Sequence, residues 1–422
     1  MRVGCPNIYI YLWTKGLLLA AILTSGIGYS EQFNLRNLIP GTRANGMGGA
    51  YTALSDDASG GWYNPAGVGF TKGVDVSLSA NAFTKSLRRV KGAVGGSDVA
   101  QSSTSLYPAF AGGTAGLSAW RFSYAFFTSD HDSVDESFRY AIPASGGVSS
   151  YTYFRRQLVF GNKLHVGAST ALKIGSNVSV GIGQFYYRRT RQSSLIESSV
   201  YETGATFDST IRQSTLNEGV LTTAGFAIRG QKAAAGVSAR IPKRLADNTL
   251  VESSQTTFSG SSQQKLETST KPHAYDEITP VEYSVGLAWT PASSFTLSGD
   301  CMMIDKETAV HEDLDGVSTV RTFNYAAGME IKFGSLLLRS GYFTNNSTIK
   351  ELDETKLGQP PRVNYSGASL NVGWEGKSSG TTFGVSKQIG VGREQSVNGS
   401  SSLYDIEAES TTYLVTSRYA MP

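Results

Sequence analysis

Residues 281–300 read VEYSVGLAWTPASSFTLSGD, an alternating segment followed by a short turn and the start of a second segment. Large apolar residues occupy every second position from Val281 to Trp289, and small or polar residues occupy the positions between them. Successive side chains of a β-strand point to opposite faces, so a period of two predicts a strand with one apolar face. The same alternation is present in residues 119–127 and 324–333. A soluble β-sandwich would alternate in the same way, so these segments alone do not distinguish a membrane protein from a water-soluble one.

The lengths of the connections distinguish a membrane barrel from a soluble sandwich. We expect fourteen strands, near residues 73–84, 104–112, 118–128, 153–174, 177–191, 215–229, 233–242, 277–290, 294–305, 322–333, 335–344, 364–376, 380–389 and 411–419. The connections after even-numbered strands are short, for example residues 175–177 and 230–232, whereas those after odd-numbered strands are long and polar, for example residues 85–103 and 192–214. Transmembrane β-barrels have short periplasmic turns and longer extracellular loops, which a soluble sandwich has no reason to imitate. The sequence therefore predicts an all-β fold, a fourteen-stranded antiparallel transmembrane β-barrel over residues 73–422.

Ionisable residues on the face opposite the apolar residues predict a polar lumen. An Arg or Lys facing lipid near the bilayer midplane would cost about 2–4 kcal/mol, so we expect these groups to point inward. They are Arg121, His165, Lys173, Arg229, Arg240, Glu282, Asp300, Glu330, Lys332 and Arg339. Tyrosine and tryptophan residues toward the strand ends, such as Tyr186, Trp289 and Trp374, are expected in the aromatic girdles at the membrane interfaces.

Composition and the N-terminus limit the class of protein. Of the 422 residues only 17% are charged and the formal net charge is +3, which argues against a nucleic-acid-binding protein. Arg2 and Lys15 precede the apolar run of residues 16–27, and small residues follow, so residues 1–30 are expected to be a secretory signal peptide. Cleavage would leave Cys301 without an intramolecular disulfide partner. Export and a barrel together predict a multi-pass protein of a Gram-negative-type outer membrane.

Residues 31–72 precede the first strand and are expected to form a small helical hatch inside the lumen. Fourteen strands enclose more space than the roughly eight-stranded barrels that side chains alone can fill, so the lumen is either open or plugged. Ala44, Met47, Tyr51 and Leu54 lie at helical spacing and predict a short amphipathic helix.

Small residues and an Asn-Pro step mark the residues on which such a hatch would depend. Asn64 followed by Pro65 fits the N-cap and the first position of a helix, because asparagine accepts amide hydrogen bonds and proline has no amide to satisfy there. Glycines allow close packing against a wall. We therefore predict Gly48, Gly49, Asn64, Pro65 and Ala66 as hatch or gating residues.

Residues 41–70, GTRANGMGGAYTALSDDASGGWYNPAGVGF, resemble the N-terminal hatch of the long-chain fatty acid outer-membrane transporters, the FadL family. Residues 278–300 and 322–343 resemble segments of the same family, and the resemblance covers the mature chain in order. It implies a fourteen-stranded barrel with an N-terminal plug and passive uptake of hydrophobic small molecules, such as long-chain fatty acids or hydrocarbons. It also implies capture by extracellular loops, an apolar pocket beside the hatch and sideways exit through a gap in the wall.

Two other functions remain open from the sequence. A hatch of this kind also occurs in barrels similar to the PorV group, which act in protein secretion and attachment. A structural or secretion-associated barrel that presents its loops to protein partners is therefore the alternative. An enzymatic barrel is the third interpretation and would need a serine–histidine or aspartate–histidine arrangement.

The residues that could carry catalysis or bind a metal do not form a recognisable motif. The histidines are His131, His165, His273 and His311. They accompany no GxSxG motif, so we predict no enzyme, no catalytic residue and no cofactor. The acidic runs at residues 129–136 and 311–316 lack the full ligand spacing of a calcium loop, so they are interpreted as solvated extracellular loops, with a calcium site as the alternative.

Basic and aromatic residues at the outer ends of the predicted fourth and fifth strands are the candidates for ligand contact. An arginine can hold a carboxylate through two parallel hydrogen bonds, and neighbouring aromatic rings can line an apolar pocket. The predicted ligand-binding residues are Arg155, Arg156, Phe160, Phe185, Tyr187 and Arg189. Binding of lipopolysaccharide phosphate is the alternative role of the arginines. We expect a monomer that contacts outer-membrane lipids and lipopolysaccharide.

Overall fold

The structure is a computed structural model that describes residues 33–94, 96–142, 144, 149–259, 262–273, 279–307, 319–356, 359–376, 378–395 and 402–421. The expected signal peptide at residues 1–30, the first two residues of the expected hatch and the acidic run at residues 311–316 lie outside the described residues.

One antiparallel sheet closes into a barrel. Its strands are β1 (Val74–Val94), β2 (Ser97–Leu117), β3 (Trp120–Ile142), β4 (Tyr151–Ile174), β5 (Val178–Tyr201), β6 (Thr206–Arg229), β7 (Ala233–Ser259), β8 (Ser262–His273), β9 (Glu282–Ala292), β10 (Phe295–Ile304), β11 (Thr322–Phe333), β12 (Leu336–Asn345), β13 (Arg362–Glu375), β14 (Ser379–Gln395) and β15 (Leu403–Met421). β1 pairs with β15, β6 with β7, and β7 with β9, so the ring is closed, whereas in the sheet order β8 lies beside β7 alone. Setting β8 aside leaves the fourteen-stranded antiparallel barrel that the sequence predicts, and this prediction is confirmed.

The two ends of the barrel differ, as the connection lengths predict. Residues 175–177, 230–232 and 334–335 join neighbouring strands at one end, which we call the short-turn end. At the opposite end, the loop end, the prediction of long loops at residues 85–103 and 192–214 is wrong, because paired strands continue through most of both segments. Serine and threonine made these segments look like loops, but threonine is β-branched and both residues are compatible with an extended, paired backbone.

The wall is much taller on one side than on the other. Strands β4 to β7 contain 24 to 27 residues, whereas β9 to β12 contain 10 to 12. A strand needs about 9–11 residues to cross the hydrocarbon layer. The outer parts of β4 to β7, extended by β8, therefore project beyond the membrane.

Large apolar side chains are exposed around the outer face of the barrel. Leu117 and Leu287 are 70% and 65% exposed. Other members of this belt are Trp120, Phe122, Phe226, Val285, Trp289, Phe333, Leu370, Val372, Trp374, Phe383 and Tyr419. Soluble proteins rarely expose a continuous apolar surface of this size, so the belt faces lipid. This is the arrangement of an outer-membrane-type barrel.

The lumen holds the ionisable residues that the sequence places there. His165, Arg240, Glu330 and Arg339 are buried within the barrel, which confirms that they point away from lipid. Cys301 is a free cysteine and is half-buried.

The segment before β1 consists of turns and short helices. They are α1 (Thr42–Gly46), α2 (Gly60–Tyr63) and a 3-10 helix (Pro65–Phe70). The predicted helix through Ala44 and Leu54 is wrong, because the chain turns at Gly48 and Gly49, whose φ angles are 63° and 80°. Among the described residues no helix is long and apolar enough to cross a membrane.

Candidate functional site: the lumen and a break in the wall

Asn64 fastens the segment before β1 to itself and to the wall. Its Oδ1 accepts a hydrogen bond of 3.1 Å from the Ala66 amide, so Asn64 caps the 3-10 helix that begins at Pro65, as the sequence predicts. Its Nδ2 donates to the carbonyl oxygens of Thr52, at 2.9 Å, and of Phe226 in β6, at 3.1 Å. One side chain therefore fixes the helix start, a preceding turn and a wall strand together.

Glycines allow the segment to touch the opposite wall through its backbone. A Cβ atom on Gly48 would lie 2.9 Å from the amide nitrogen of Tyr342 in β12, and its φ of 63° also disfavours any other residue. The guanidinium group of Arg36 covers Gly49 and donates to its carbonyl oxygen at 3.3 Å. These close contacts explain why the sequence has glycine at positions 48 and 49. The gating role predicted for Gly48, Gly49, Asn64, Pro65 and Ala66 stays a prediction.

An ion network, which we call the basal network, ties the segment to two parts of the wall near the short-turn end. Arg43 of α1 pairs with Asp56 at 2.6 Å and with Glu330 of β11 at 3.0 Å. Arg229 of β6 pairs with Asp56 at 2.8 Å, and Arg339 of β12 pairs with Glu330 at 2.6 Å. Because β7, β9 and β10 lie between β6 and β11 in the wall, the network holds the segment at two separate places.

A cluster of aromatic rings lies above the basal network, between the segment and strands β2 to β5. We call it the aromatic cluster; it consists of Trp62, Phe110, Phe127, His165, Phe185 and Tyr187. The Trp62 ring lies 4.8 Å from Phe127, 4.9 Å from His165 and 5.8 Å from Phe185 between centroids. The guanidinium of Arg240 lies over the Trp62 ring at 4.5 Å. Rings that pack edge-to-face in this way form an apolar surface that includes a few polar ring atoms.

Four of the six predicted ligand-binding residues face the lumen. Phe185, Tyr187 and Arg189 alternate along β5 and are buried, and Arg155 of β4 is buried higher in the barrel. Both arginines already have acidic partners. Arg189 lies 3.3 Å from Asp130, and Arg155 lies 3.9 Å from Glu197.

Arg156 and Phe160 face the outside and not the lumen, and the ligand-binding role predicted for all six residues stays a prediction. Arg156 is exposed and forms an ion pair of 3.2 Å with Asp135 on the outer face. Phe160 is 55% exposed. The physical reason is the alternation itself, because Arg156 follows the inward Arg155 and therefore has to point the other way.

The barrel wall is incomplete between β2 and β3. Backbone pairing between them covers only Phe110–Leu117 and Trp120–Phe127. On their other sides the same strands remain paired much further, β2 with β1 as far as Ser97 and β3 with β4 as far as Ile142. The two strands therefore separate partway up the barrel. The last paired residues are Phe110 and Phe127 of the aromatic cluster, and the separation lies directly above them.

Irregularities in three strands occur where the separation begins. The register of β1 with β15 shifts between Ser79 and Phe83, and that of β3 with β4 shifts between Thr128 and Asp130. Pro108 lies at the same level of β2, where the Thr128 hydroxyl donates to its carbonyl oxygen at 2.7 Å. Bulges bend a strand, and proline cannot donate to a neighbouring strand, so these features together end the pairing.

Side chains close the separation again near the loop end. The Ser102 amide of β2 donates to the Glu136 carboxylate of β3, and the Tyr140 hydroxyl donates to the Asp98 carbonyl oxygen at 3.2 Å. An opening in the backbone pairing remains between residues 102–109 and 128–136, which we call the β2–β3 gap. On its inner side lies a cavity of about 110 Å³. Tyr107, His131, Val134 and Val159 are among its lining residues.

The acidic run at residues 129–136 is part of β3 and not a loop, which corrects the sequence interpretation. Asp130 and Asp135 are engaged with arginines, as described above. Within the described residues no group of three or more His, Cys, Asp or Glu side chains is placed to hold a metal ion.

Comparison with known proteins identifies the fold. No protein-family model matches the sequence, and no curated protein matches it. Among solved structures, a FadL homologue from Pseudomonas aeruginosa matches with a TM-score of 0.64 and 11% sequence identity, over 92% of this chain and 99% of that one. The toluene transporter TodX from P. putida matches with a TM-score of 0.63 and 13% identity, over 92% and 99%. The monoaromatic hydrocarbon channel CymD matches with a TM-score of 0.58 and 12% identity, over 91% and 98%.

The chain has the FadL-type fold. Within this fold, the sequence identified the lumenal face of β5 but missed several residues that surround the β2–β3 gap. These are Tyr107, Phe110, Phe127, His131 and Glu136. Pro108 inside an otherwise alternating segment was the one available signal, because a proline within a strand indicates an edge or a bulge. On the facing strand, the acidic residues at 129–136 led to a loop interpretation instead.

Proposed function

We propose that this protein is a passive outer-membrane transporter for uncharged hydrophobic small molecules, which leave the lumen sideways through the β2–β3 gap. The observation that carries the proposal is the end of backbone pairing between β2 and β3 directly above the buried aromatic cluster. A hydrophobic solute that reaches this cluster lies next to an opening toward the lipid-facing side. The fall in free energy on entering the membrane then drives transport without ATP.

The arrangement of the segment before β1 favours exit through the wall over exit through the short-turn end. A route through the plug would have to break the basal network and leave buried charges unpaired, which costs several kcal/mol in proteins. The β2–β3 gap contains no backbone rung that has to be broken. We therefore propose that residues 31–72 act as a hatch that stays largely in place, with Gly48, Gly49, Asn64, Pro65 and Ala66 holding it against the wall.

The charges in the lumen favour an uncharged ligand over a fatty acid. Arg155, Arg189 and Arg240 are buried arginines near the aromatic cluster and the gap, and each lies beside a carboxylate. A ligand carboxylate would have to displace Glu197, Asp130 or Glu282 and would be repelled by all three. Hydrocarbons meet no such cost. TodX is a toluene transporter and CymD is a monoaromatic hydrocarbon channel, which agrees with this preference.

The test is to obstruct the gap from outside. Leu106 and Leu117 are both on the outer face of β2, 62% and 70% exposed, but only Leu106 borders the gap. In a Cys301→Ser background, Leu106→Cys is modified with a bulky methanethiosulfonate reagent, and uptake of labelled toluene is measured in cells that express the variant. We expect uptake to fall on modification and to return after reduction.

Leu117→Cys is the matched control, because it lies on the same strand where the wall is fully paired. Its modification is expected to leave uptake unchanged. Equal uptake in modified and unmodified Leu106→Cys, in a protein that does transport toluene, would exclude the lateral route. No difference between expressing and non-expressing cells would exclude the transporter.

The projecting part of β4 to β8 favours a second candidate function, the presentation of a surface to protein partners. This sheet continues about 10 or more residues beyond what a membrane crossing needs. The outer face of the same sheet has a groove lined by Leu158, Phe160 and Leu250, together with Arg212 and Glu252. Shortening the β5–β6 hairpin tests this candidate, because the loss of a secretion or attachment phenotype with normal toluene uptake would support it.

A further inference from the structure

Three aromatic rings cross the wall at the β2–β3 gap. The Tyr107 ring of β2 is stacked on the His131 ring of β3, with 4.9 Å between centroids and 27° between planes. The His131 ring meets the Phe160 ring of β4 edge-on, at 5.8 Å and 90°. Tyr107 is 4% exposed, whereas Phe160 is 55% exposed. The three rings therefore lead from the lumen to the outer face.

The position of His131 follows from the break in the wall. In the register of β3 with β4, His131 lies opposite Asn162, one residue beyond the inward pair of Asp130 and Lys163, so its backbone position is outward-facing. In a complete wall the neighbouring strand would block the way to the lumen. Because β2 has separated from β3 here, the imidazole can lie in the gap and reach Tyr107. A hydrogen bond of 3.0 Å between the Tyr107 and Thr84 hydroxyls holds the inner ring in place.

The spaces on the two sides of this wall are separated by very little protein. His131 and Tyr107 line the inner cavity, and Phe160 lines the outer groove described above. Ser133, Val134 and Val159 line both. The β2–β3 gap is thus flanked by a lumenal space and an outer space that share their boundary.

We propose that the His131 side chain is the gate of this passage, and that a ligand crosses the wall by replacing its ring contacts with Tyr107 and Phe160 in turn. This inference rests on the proposed lateral route. Rotation of one side chain opens the passage, and side-chain rotation needs no rearrangement of the strands. His131 is thus a specificity-determining residue.

The ring geometry also determines which ligands pass. A flat ring can stack on Tyr107 and then meet Phe160 edge-on, so it regains at each step the contact that His131 gives up. A puckered ring of nearly the same size cannot stack and passes the same constriction with fewer contacts. The gate therefore favours toluene over methylcyclohexane, two probes with the same carbon skeleton.

The experiment measures entry of both probes into cells that express wild type, His131→Ala, His131→Trp or Phe160→Ala. Tyr124→Ala, an exposed ring on the paired part of β3, is the control. We expect His131→Trp to slow both probes by about tenfold, equivalent to about 1.4 kcal/mol in the barrier. His131→Ala should admit methylcyclohexane faster and reduce the toluene preference, Phe160→Ala should slow toluene, and Tyr124→Ala should behave as wild type.

Folding of every variant is checked by the shift in gel mobility on heating, and Phe160→Ala alters only an exposed side chain. If wild type transports toluene but rates and preference are the same in all the variants, the gate is disproved and the lateral route stands. If wild type transports neither probe, the proposed function fails and the gate fails with it.

Discussion

At the residue scale, single side chains replace the missing backbone rungs between β2 and β3. Glu136 is the clearest case, since its carboxylate accepts the hydrogen bond of the Ser102 amide across the gap. It lies on the part of β3 where the outer face carries the Asp135–Arg156 ion pair, and is therefore beyond the lipid-facing belt. Burial raises the pKa of this carboxyl from 4.5 to about 7, against the opposing effects of the Ser102 amide, Gln101 and two arginines.

The raised pKa of Glu136 predicts that the stability of the protein depends on pH. The folded protein binds the Glu136 proton more tightly than the unfolded chain, so its contribution to stability is complete below pH 4.5 and is lost as the pH rises through about 7. Wild type should therefore lose thermal stability relative to Glu136→Gln as the pH is raised from about 5 to 8, because glutamine does not titrate. A difference that stays constant over this range would contradict the prediction. Asp135→Asn, on the exposed face, is the control.

At the element scale, one proline decides where two strands part. In an antiparallel pair the N–H and C=O of a residue point to the same neighbour. The carbonyl oxygen of Pro108 accepts a hydrogen bond from Thr128 of β3, so the amide that proline lacks would also have pointed toward β3. The bulge between Thr128 and Asp130 shifts the facing strand at the same point. Neither change affects the pairing of β2 with β1, which continues to Ser97.

Pro108→Val should extend the pairing of β2 with β3. The new amide can form a rung, worth about 0.5–1.5 kcal/mol, and narrows the gap from below. We expect toluene uptake to fall several-fold while the barrel unfolds at the same temperature or higher. Leu117→Val, in the fully paired part of β2, should change neither. If the new amide is protected from hydrogen exchange but uptake is unchanged, the width of the gap does not control transport.

At the scale of the whole molecule, the basal network joins the segment before β1 to the wall. Glu330 is 2% exposed at its side chain and pairs with Arg43 of the segment and Arg339 of the wall. Removal of one member of a buried pair leaves an uncompensated charge and costs about 3–5 kcal/mol. The barrel itself depends on the closed strand ladder and should survive this loss.

Glu330→Gln should therefore loosen the proposed hatch without unfolding the barrel. We expect faster swelling of dextran-loaded liposomes that contain the variant after dilution into isotonic arabinose, because an open lumen passes small hydrophilic solutes. Glu407→Gln removes a comparable charge from the exposed pair with Lys91 and should have no effect, since exposed pairs contribute about 0–1 kcal/mol. Identical swelling rates for the Glu330→Gln variant and wild type would mean that the network does not hold the proposed hatch.

The sequence by itself determined the barrel. Alternation and the charged positions predict the membrane-crossing strands and their faces, because lipid outside and charged groups inside favour one register for each strand. Local chemistry also determined the cap at Asn64, which needs only neighbouring residues. The strand extensions were missed because polar residues form loops and solvated strands equally well.

Only the tertiary structure decided where the wall opens and what fills the opening. The β2–β3 gap depends on bulges in strands that are distant in sequence, and the rings of Tyr107, His131 and Phe160 meet only once those strands have separated. The pairing of Arg155 and Arg189 with acids is decided in the same way. An alternation with a period of two determines which face of the sheet a side chain occupies. Contacts between strands depend in addition on the register and on where pairing ends, and the sequence of a single strand does not contain this information.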